Sequence, residues 1–238
     1  ANEYKPSAKE LIVTFIDVGQ GDSIFIKTPN GKNVLIDAGG TPYWKQSDYD
    51  PGEEIVVPFL ESQKIKKLDF VIATHADGDH IGGLPAVLKR FPIGLLYENG
   101  IVSDQPEYEE MHKVIDSKKI VTSVLKQGIG FDVDPSVKFE VFAPPKDFYF
   151  EGENSNSVIT RLIYGDVSFF FTADMEYEAE DNVLQIYGDK IRSNILKVAH
   201  HGSATSTSEK FLKAVNPEIA VISVGARNNF GHPYSGVL

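Results

Sequence analysis

Thr74-His75-Ala76-Asp77-Gly78-Asp79-His80, continued at once by Ile81-Gly82-Gly83-Leu84, is the stretch on which the reading of this chain turns. It follows Leu68-Asp69-Phe70-Val71-Ile72-Ala73, an apolar, β-branched run bounded by charge, which predicts a buried strand with the motif in the loop at its C-terminal end. The loop offers two imidazoles and two carboxylates. Gly78, Gly82 and Gly83 let the backbone fold tightly enough for all four to converge on one volume. That pattern reads as a metal cradle for more than one ion. An isolated His-x-Asp would read as an Asp-rich turn with solvated histidines, but four ligands at this spacing behind a buried strand favour metal.

Composition narrows what surrounds the motif. The chain has 238 residues, 42% of them hydrophobic, enough for a substantial core in one large domain. No stretch approaches the length of a membrane span and no charged-then-apolar signal segment opens the sequence, so the chain is expected to be soluble as it stands. A signal cleaved before Ala1 would leave no mark on it. With no cysteine, a disulfide framework and any thiolate site are excluded, and metal binding must rest on His, Asp and Glu. The net charge of −11 argues against general electrostatic capture of polyanions, so contact with nucleic acid would have to be local and helped by bound cations.

Working outward, residues 11–16, 24–27 and 33–36 predict three short strands. A turn at Asp17-Val18-Gly19-Gln20-Gly21-Asp22-Ser23 and a hairpin signal at Pro29-Asn30-Gly31-Lys32 make them an antiparallel meander. Asp37-Ala38-Gly39-Gly40 closes it, and a loop holding Trp44 leads to a helix expected over 53–63. Beyond the motif, helices are expected at 84–90 and 106–117, with strands at 93–97, 120–125, 138–142, 157–164 and 167–172. In the last third, Phe169-Phe170-Phe171-Thr172-Ala173 ends in Asp174 and a helix is expected over 175–187. The run 194–199 ends in His200-His201-Gly202-Ser203, and 218–224 ends in a loop reaching Gly231-His232-Pro233. This order is neither doubly wound nor all-β. It predicts an α/β (α+β) fold of two mixed sheets packed together with helices outside, in one domain.

His75, His80, His200, His201 and His232 all follow predicted strands, whereas His112 falls inside an acidic helical pattern and reads as a solvated helix residue. Adjacent residues at a strand end point in different directions, so only one of His200 and His201 is expected to ligate, leaving the other for substrate or proton transfer. Asp174 followed by Met175-Glu176 would serve as a helix N-cap. Two close cations, however, need a bridging carboxylate, and Asp174 is the strand-end candidate in this half. Two divalent ions carry about +4, Asp77, Asp79 and Asp174 supply about −3, and a bridging hydroxide brings the sum near zero.

On these residues the chain resembles the metallo-β-lactamase fold superfamily, specifically its ComEC-like branch, the hydrolase domain of a bacterial DNA-uptake (competence) protein. The likeness runs through Phe15 to Ser23, Leu35 to Gly40, Thr74 to Leu84, Asn156-Ser157-Val158, Phe171 to Asp174, Ala199 to Ser203 and Gly231-His232-Pro233, in that order. It implies a four-layer αββα sandwich with a dinuclear centre at one edge. It also implies His75, Asp77, Asp79, His80, Asp174 and His200 as metal ligands, with Asp37 supporting them. Two departures stand out: the usual pattern has histidine where Asp77 stands, and it draws a further histidine from a region occupied here by Asn154-Ser155-Asn156-Ser157. An oxygen-rich, thiolate-free site shifts preference toward Mn2+ or Mg2+, with Zn2+ still a candidate. The chain also stops at Leu238, sooner after Gly231-His232-Pro233 than the family pattern leads one to expect, as if a last helix and strand were trimmed or absent.

The chemistry expected of such a site is phosphodiester hydrolysis by a hydroxide held between two metals, with Asp79, His201 and His232 as catalytic residues. His232 would protonate the leaving alkoxide, Arg227 would grip a non-bridging phosphate oxygen, and Asn156, Ser157 and Ser203 would donate hydrogen bonds to substrate. The expectation is a monomeric nuclease acting on DNA in competence, placed outside the cytoplasm or at the cell surface of a bacterium, or otherwise soluble in the cytoplasm. Two rivals stay open: a cell-surface phosphodiesterase on a small ester of the phosphorylcholine esterase kind, and a non-catalytic binding module poor in metal. A lactamase or glyoxalase reading is weaker, given the missing histidines.

Overall fold

The computed structural model describes residues 10–41 and 49–238; the loop assigned to Trp44 lies outside the described residues. Two six-stranded mixed sheets form. The first runs β1 (Ile12–Phe15), β2 (Ile24–Lys27), β3 (Asn33–Ile36), β4 (Leu68–Ile72), β5 (Ile93–Glu98), β6 (Thr122–Val124), in chain order. The second reads β12 (Ile219–Val221), β11 (Ile195–Lys197), β10 (Val167–Phe171), β9 (Ile159–Tyr164), β8 (Val137–Ala143), β7 (Gly130–Asp134). Each sheet starts as an antiparallel meander and continues with parallel strands.

Three buried clusters separate four layers. Alternate residues of the same strand enter different clusters: Phe25, Leu35 and Val71 face the helices α1 (Val57–Ser62), α3 (Leu84–Arg90) and α4 (Pro106–Lys118), while Ile24, Ile26, Val34 and Ile72 face the other sheet. Both faces are buried, which is why these strands are continuous apolar runs rather than alternating ones. Between the sheets, Phe70 and Tyr97 of the first meet Phe131 and Phe139 of the second, with Tyr97–Phe131 centroids at 4.7 Å and Phe131–Phe139 at 5.1 Å. The third cluster packs Phe142, Phe170 and Leu196 under α5 (Tyr177–Tyr187) and α6 (Glu209–Val215). The αββα sandwich expected from the resemblance is what forms. No helix among the described residues is long and apolar enough to cross a membrane.

Several elements differ from expectation. β7 and α6 were not foreseen, although Phe131-Asp132-Val133-Asp134 alternates with period 2 and Ser208 caps α6 by accepting from the Phe211 N–H at 3.2 Å. The helix expected over 53–63 opens with one wide π turn, Gly52–Val56, before α1. The motif itself is not all loop: Gly78–Ile81 is a short helix, α2.

Glycines let this motif sit against its neighbours. A Cβ on Gly40 would lie 1.9 Å from the Gly78 carbonyl oxygen, and one on Gly83 would lie 2.4 Å from the Ala38 oxygen and 2.8 Å from Gly52 Cα. The β3–α1 connection and the motif therefore touch backbone to backbone, with the Gly83 N–H donating to the Gly39 carbonyl at 2.8 Å. Gly83→Ala is expected to cost roughly 1–3 kcal/mol through overpacking, read from denaturant unfolding midpoints. Gly31→Ala, whose added carbon meets nothing within 4 Å but whose φ is +79°, is expected to cost less.

Candidate metal centre

Parallel pairing decides which side chains meet. The registers Ile36↔Ile72 in one sheet, and Phe171↔Lys197 and Lys197↔Val221 in the other, bring the C-terminal ends of β3, β4, β10, β11 and β12 to one edge. Asp37, the motif, Asp174, His200 and His201 follow those ends. The backbone there is held in left-handed conformations that ordinary residues rarely take: Asp37 at φ +54°, Ala173 at +42°, His200 at +47° and His201 at +54°. Strain at four non-glycine residues around one cluster marks a site whose geometry is imposed by its surroundings.

Asp37 is fully buried and makes three strong contacts. Its carboxylate accepts from the Thr74 N–H at 2.9 Å and the Thr74 hydroxyl at 2.7 Å, and lies 2.8 Å from His80 Nδ1. The third contact fixes the His80 ring so that Nε2 faces the cluster, 3.1 Å from Asp174 Oδ1. His75 Nδ1 is 3.0 Å from the Thr74 hydroxyl, leaving its Nε2 3.6 Å from Asp77 Oδ2. His201 Nδ1 is 2.9 Å from the Ser223 carbonyl oxygen, and its Nε2 lies 3.5 Å from Asp79 Oδ2 and 3.4 Å from Asp174 Oδ2. His75 Nε2, His80 Nε2, His201 Nε2 and Asp174 Oδ1 are all buried without a hydrogen bond of good geometry. Ligand atoms of His75, His80 and Asp174 come within 4.8 Å of one another, as do those of Asp79, His80 and His201. Buried polar atoms left open and aimed at one volume cost free energy unless something cationic sits there. The donor set therefore fits divalent ions.

Charges behave accordingly. Burial works against ionising Asp174, yet the neighbouring His201 and His80 hold its carboxyl well below the usual range. Burial also disfavours the charged forms of His80 and His201, but Asp174 together with Asp37 raises His80 well above its ordinary value, and Asp174 together with Asp79 and Asp22 raises His201 to about 10. Burial and the charges of His200 and His201 push His232 down, so its ring favours the neutral form at neutral pH.

The other expected residues fall into place unevenly. His200 was expected as the ligand and His201 as the catalytic partner, but successive left-handed residues turn their rings apart. The deeply buried ring is His201, grouped with Asp79 and His80, while His200 sits nearer the rim with Nε2 3.6 Å from Asp174 and Nδ1 3.4 Å from Glu176. His232 stands at the rim, its ring centroid 5.7 Å from that of His200, and Arg227 is exposed in the same loop. Asn156 and Ser157 are corrected: Asn156 spends its amide on Phe150 and Gly152, and the Ser157 hydroxyl donates to the Asn154 carbonyl at 2.7 Å, so both are loop builders. The Ser203 hydroxyl lies 3.0 Å from that of Thr205. His112 is not simply solvated; its Nε2 lies 3.0 Å from Glu98 and its ring packs on Tyr108.

Two residues behind the cluster were missed. Lys197 is 1% exposed in its side chain, ion-paired with Asp22, donating to the Ala173 carbonyl at 3.0 Å and standing 3.9 Å from Asp174 Oδ1. The signal was available: Lys197 is the one charge in an otherwise apolar strand, and Asp22 follows two glycines in a turn. Lys197→Met leaves the buried Asp22 with only its longer contacts to His201 Nδ1 at 3.6 Å and His80 Nδ1 at 4.0 Å and is expected to cost roughly 3–5 kcal/mol in chemical denaturation. Lys197→Met combined with Asp22→Asn is expected to recover most of that loss.

The raised imidazoles set a pH dependence. With His201 at about 10 when folded and near 6.5 when not, its proton stabilises the metal-free protein fully below pH 6.5, and the contribution fades as pH rises toward 10. A metal needs the neutral ring. At pH 8 loading with Mn2+ or Zn2+ is therefore expected to release roughly one proton or more, and affinity is expected to fall as pH falls. Calorimetry in two buffers of different ionisation enthalpy checks both.

Comparison with known proteins agrees with this geometry. The Metallo-beta-lactamase superfamily model matches residues 16–226. ComE operon protein 3 of Bacillus subtilis (strain 168) is 35% identical over 99% of this chain and 31% of its own length, and Competence protein ComA of Neisseria gonorrhoeae is 31% identical over 98% of this chain and 30% of its own. The chain thus spans less than a third of the length of these relatives. Among solved structures, the metallo-beta-lactamase fold protein YhfI from Bacillus subtilis superposes with a TM-score of 0.56 at 13% identity, over 96% of this chain and 92% of that one. A match over most of the chain, a site at the shared edge of two mixed sheets and relatives of the competence branch lead to one statement: this chain belongs to the metallo-beta-lactamase superfamily.

Proposed function

We propose that this domain is a divalent-metal-dependent phosphodiesterase that hydrolyses DNA in the setting of a competence protein. The observation that carries it is the donor set: carboxylates and imidazoles only, open on their inward atoms, with His80 common to the two candidate groups and Asp174 reaching His80 through Oδ1 and His201 through Oδ2. The Neisseria gonorrhoeae relative is a competence protein, which supports a polymeric DNA substrate.

In this reading His75, His80 and Asp174 would hold one ion, with Asp77 beside His75, and Asp79, His80 and His201 would hold another, with His200 next to them. Ions bound there supply a water-derived nucleophile and Lewis-acid stabilisation of the phosphoryl oxygens. The protein's own contribution is position: Asp37 keeps His80 in one tautomer, Lys197 holds the Ala173–Asp174 corner, and the layers behind keep bulk water out. His232 at the rim accepts a hydrogen bond from water or substrate, and the Arg227 guanidinium pairs with a phosphate oxygen.

One observation favours a second reading. A net charge of −11 suits a small ester better than a long polyanion. Hydrolysis of labelled single-stranded DNA by metal-stripped protein, with Mn2+, Mg2+ or Zn2+ restored, separates the two. DNA cleavage that requires the ion and falls at least about a hundredfold in Asp174→Ala is the expected result. Turnover of a small chromogenic phosphodiester with none of DNA would transfer the activity to the small-ester class, and protein that takes up no metal would leave a binding module.

A further inference from the structure

Aromatic residues are sorted by edge. Among the described residues, the aromatic side chains with large exposure are Tyr49 (48%), Phe148 (49%), Tyr149 (46%), Tyr177 (44%), Phe230 (53%) and Tyr234 (51%). Each lies in a connection that leaves a C-terminal strand end on the edge of the metal cluster. Tyr49 follows β3, Phe148 and Tyr149 follow β8, Tyr177 follows β10, and Phe230 and Tyr234 follow β12. β8 shares this direction because both it and β10 run antiparallel to β9. At the opposite edge the exposed large apolar residues are aliphatic, such as Val121, Val167 and Ile219.

Leaving flat apolar rings in water has a cost, and rings carried on one edge suit a ligand with flat faces of its own. The rings are held in place. Lys126 Nζ sits 3.5 Å from the Tyr149 centroid, and the Tyr149 hydroxyl donates to the Gly100 carbonyl at 3.3 Å. The Tyr177 hydroxyl donates to the Ala204 carbonyl at 2.6 Å, and Phe230 stacks at 27° on His232 with centroids 5.7 Å apart. Rings fixed in this way lose little side-chain entropy on binding. Phe230 reaches the cluster through His232, whose centroid is 6.5 Å from that of His201. Tyr149 reaches it from the other side through Asn99, a neighbour of His75 in the wall of a small cleft.

Charge decides between ligands. The chain carries −11, so a nucleic acid gripped mainly through its phosphates is disfavoured away from the ions. Stacking is indifferent to that field. Every base has a face, and a single strand presents those faces while a duplex hides them. A single small cation such as choline asks for rings gathered around one point, whereas these are carried by four separate connections.

We propose that Tyr149 and Phe230, with the aromatic residues beside them on the same edge, are base-stacking platforms flanking the metal cluster, so that the domain takes single-stranded in preference to duplex DNA. This rests on the nuclease reading for its substrate, but its test reads binding. Fluorescence anisotropy with metal-stripped protein compares a labelled strand of about 20 nucleotides, the same strand made abasic, and the duplex. The base-bearing single strand is expected to bind about tenfold or more tightly than either. Tyr149→Leu combined with Phe230→Leu, which keeps apolar bulk at exposed positions, is expected to remove most of that advantage while leaving the weak abasic binding as it was. Equal binding of base-bearing and abasic strands, no binding of any strand, or a variant that keeps the preference overturns the proposal. So does loss of phosphocholine binding in the variant without loss of strand binding. Base-dependent binding without cleavage when metal is restored would sustain the platforms and remove the nuclease reading instead.

Discussion

The Asp37 carboxylate is the contact on which the site depends. It accepts from both the backbone and the hydroxyl of Thr74 and meets His80 Nδ1, so one buried group ties the end of β3 to the end of β4 and selects the His80 tautomer. Its left-handed backbone, φ +54°, is what turns the side chain inward from the strand end. That conformation costs about 1–2 kcal/mol. The cost is offset because alternatives would leave three polar groups unpaired in a region with no access to water.

Around that contact the site is a problem of buried charge. Asp22, Asp37, Asp174 and His80 are all nearly solvent-free, and carboxylates buried this closely are costly unless positive charge lies beside them. Lys197 is the permanent one, lodged against Asp22 and near Asp174. Protons on His80 and His201 are exchangeable ones. In the proposed metal site, bound ions would take the place of those protons, which would link affinity to pH.

The sandwich explains why so many fragile features can coexist at one edge. Three apolar clusters carry the stability, and the strands end in register where both sheets open toward solvent. Connections there are free to carry left-handed histidines, a positive-φ alanine and exposed rings. The glycine contacts between Gly40 and the motif and between Gly52 and Gly83 let backbone replace side chains where the layers come closest. The chain as a whole is acidic, so its surface field gives a polyanionic substrate no general attraction.

Local pattern determined a large part of this. The apolar runs ending in ligands, the histidines sorted to strand ends and the glycine-bounded motif were legible because strand periodicity and ligand chemistry act over a few neighbouring residues. β2, β3 and α3 have the bounds that the residues suggested. What only the tertiary structure decided concerns residues brought together from far apart. Lys197 finds Asp22 across 175 positions of sequence (197 − 22), and no local signal reports a partner at that distance. Asn156 turns out to brace its own loop because Phe150 and Gly152 fold back onto it. His201 rather than His200 enters the buried cluster because two successive left-handed residues reverse the alternation a strand end would impose, and backbone of that kind is set by the packing around it.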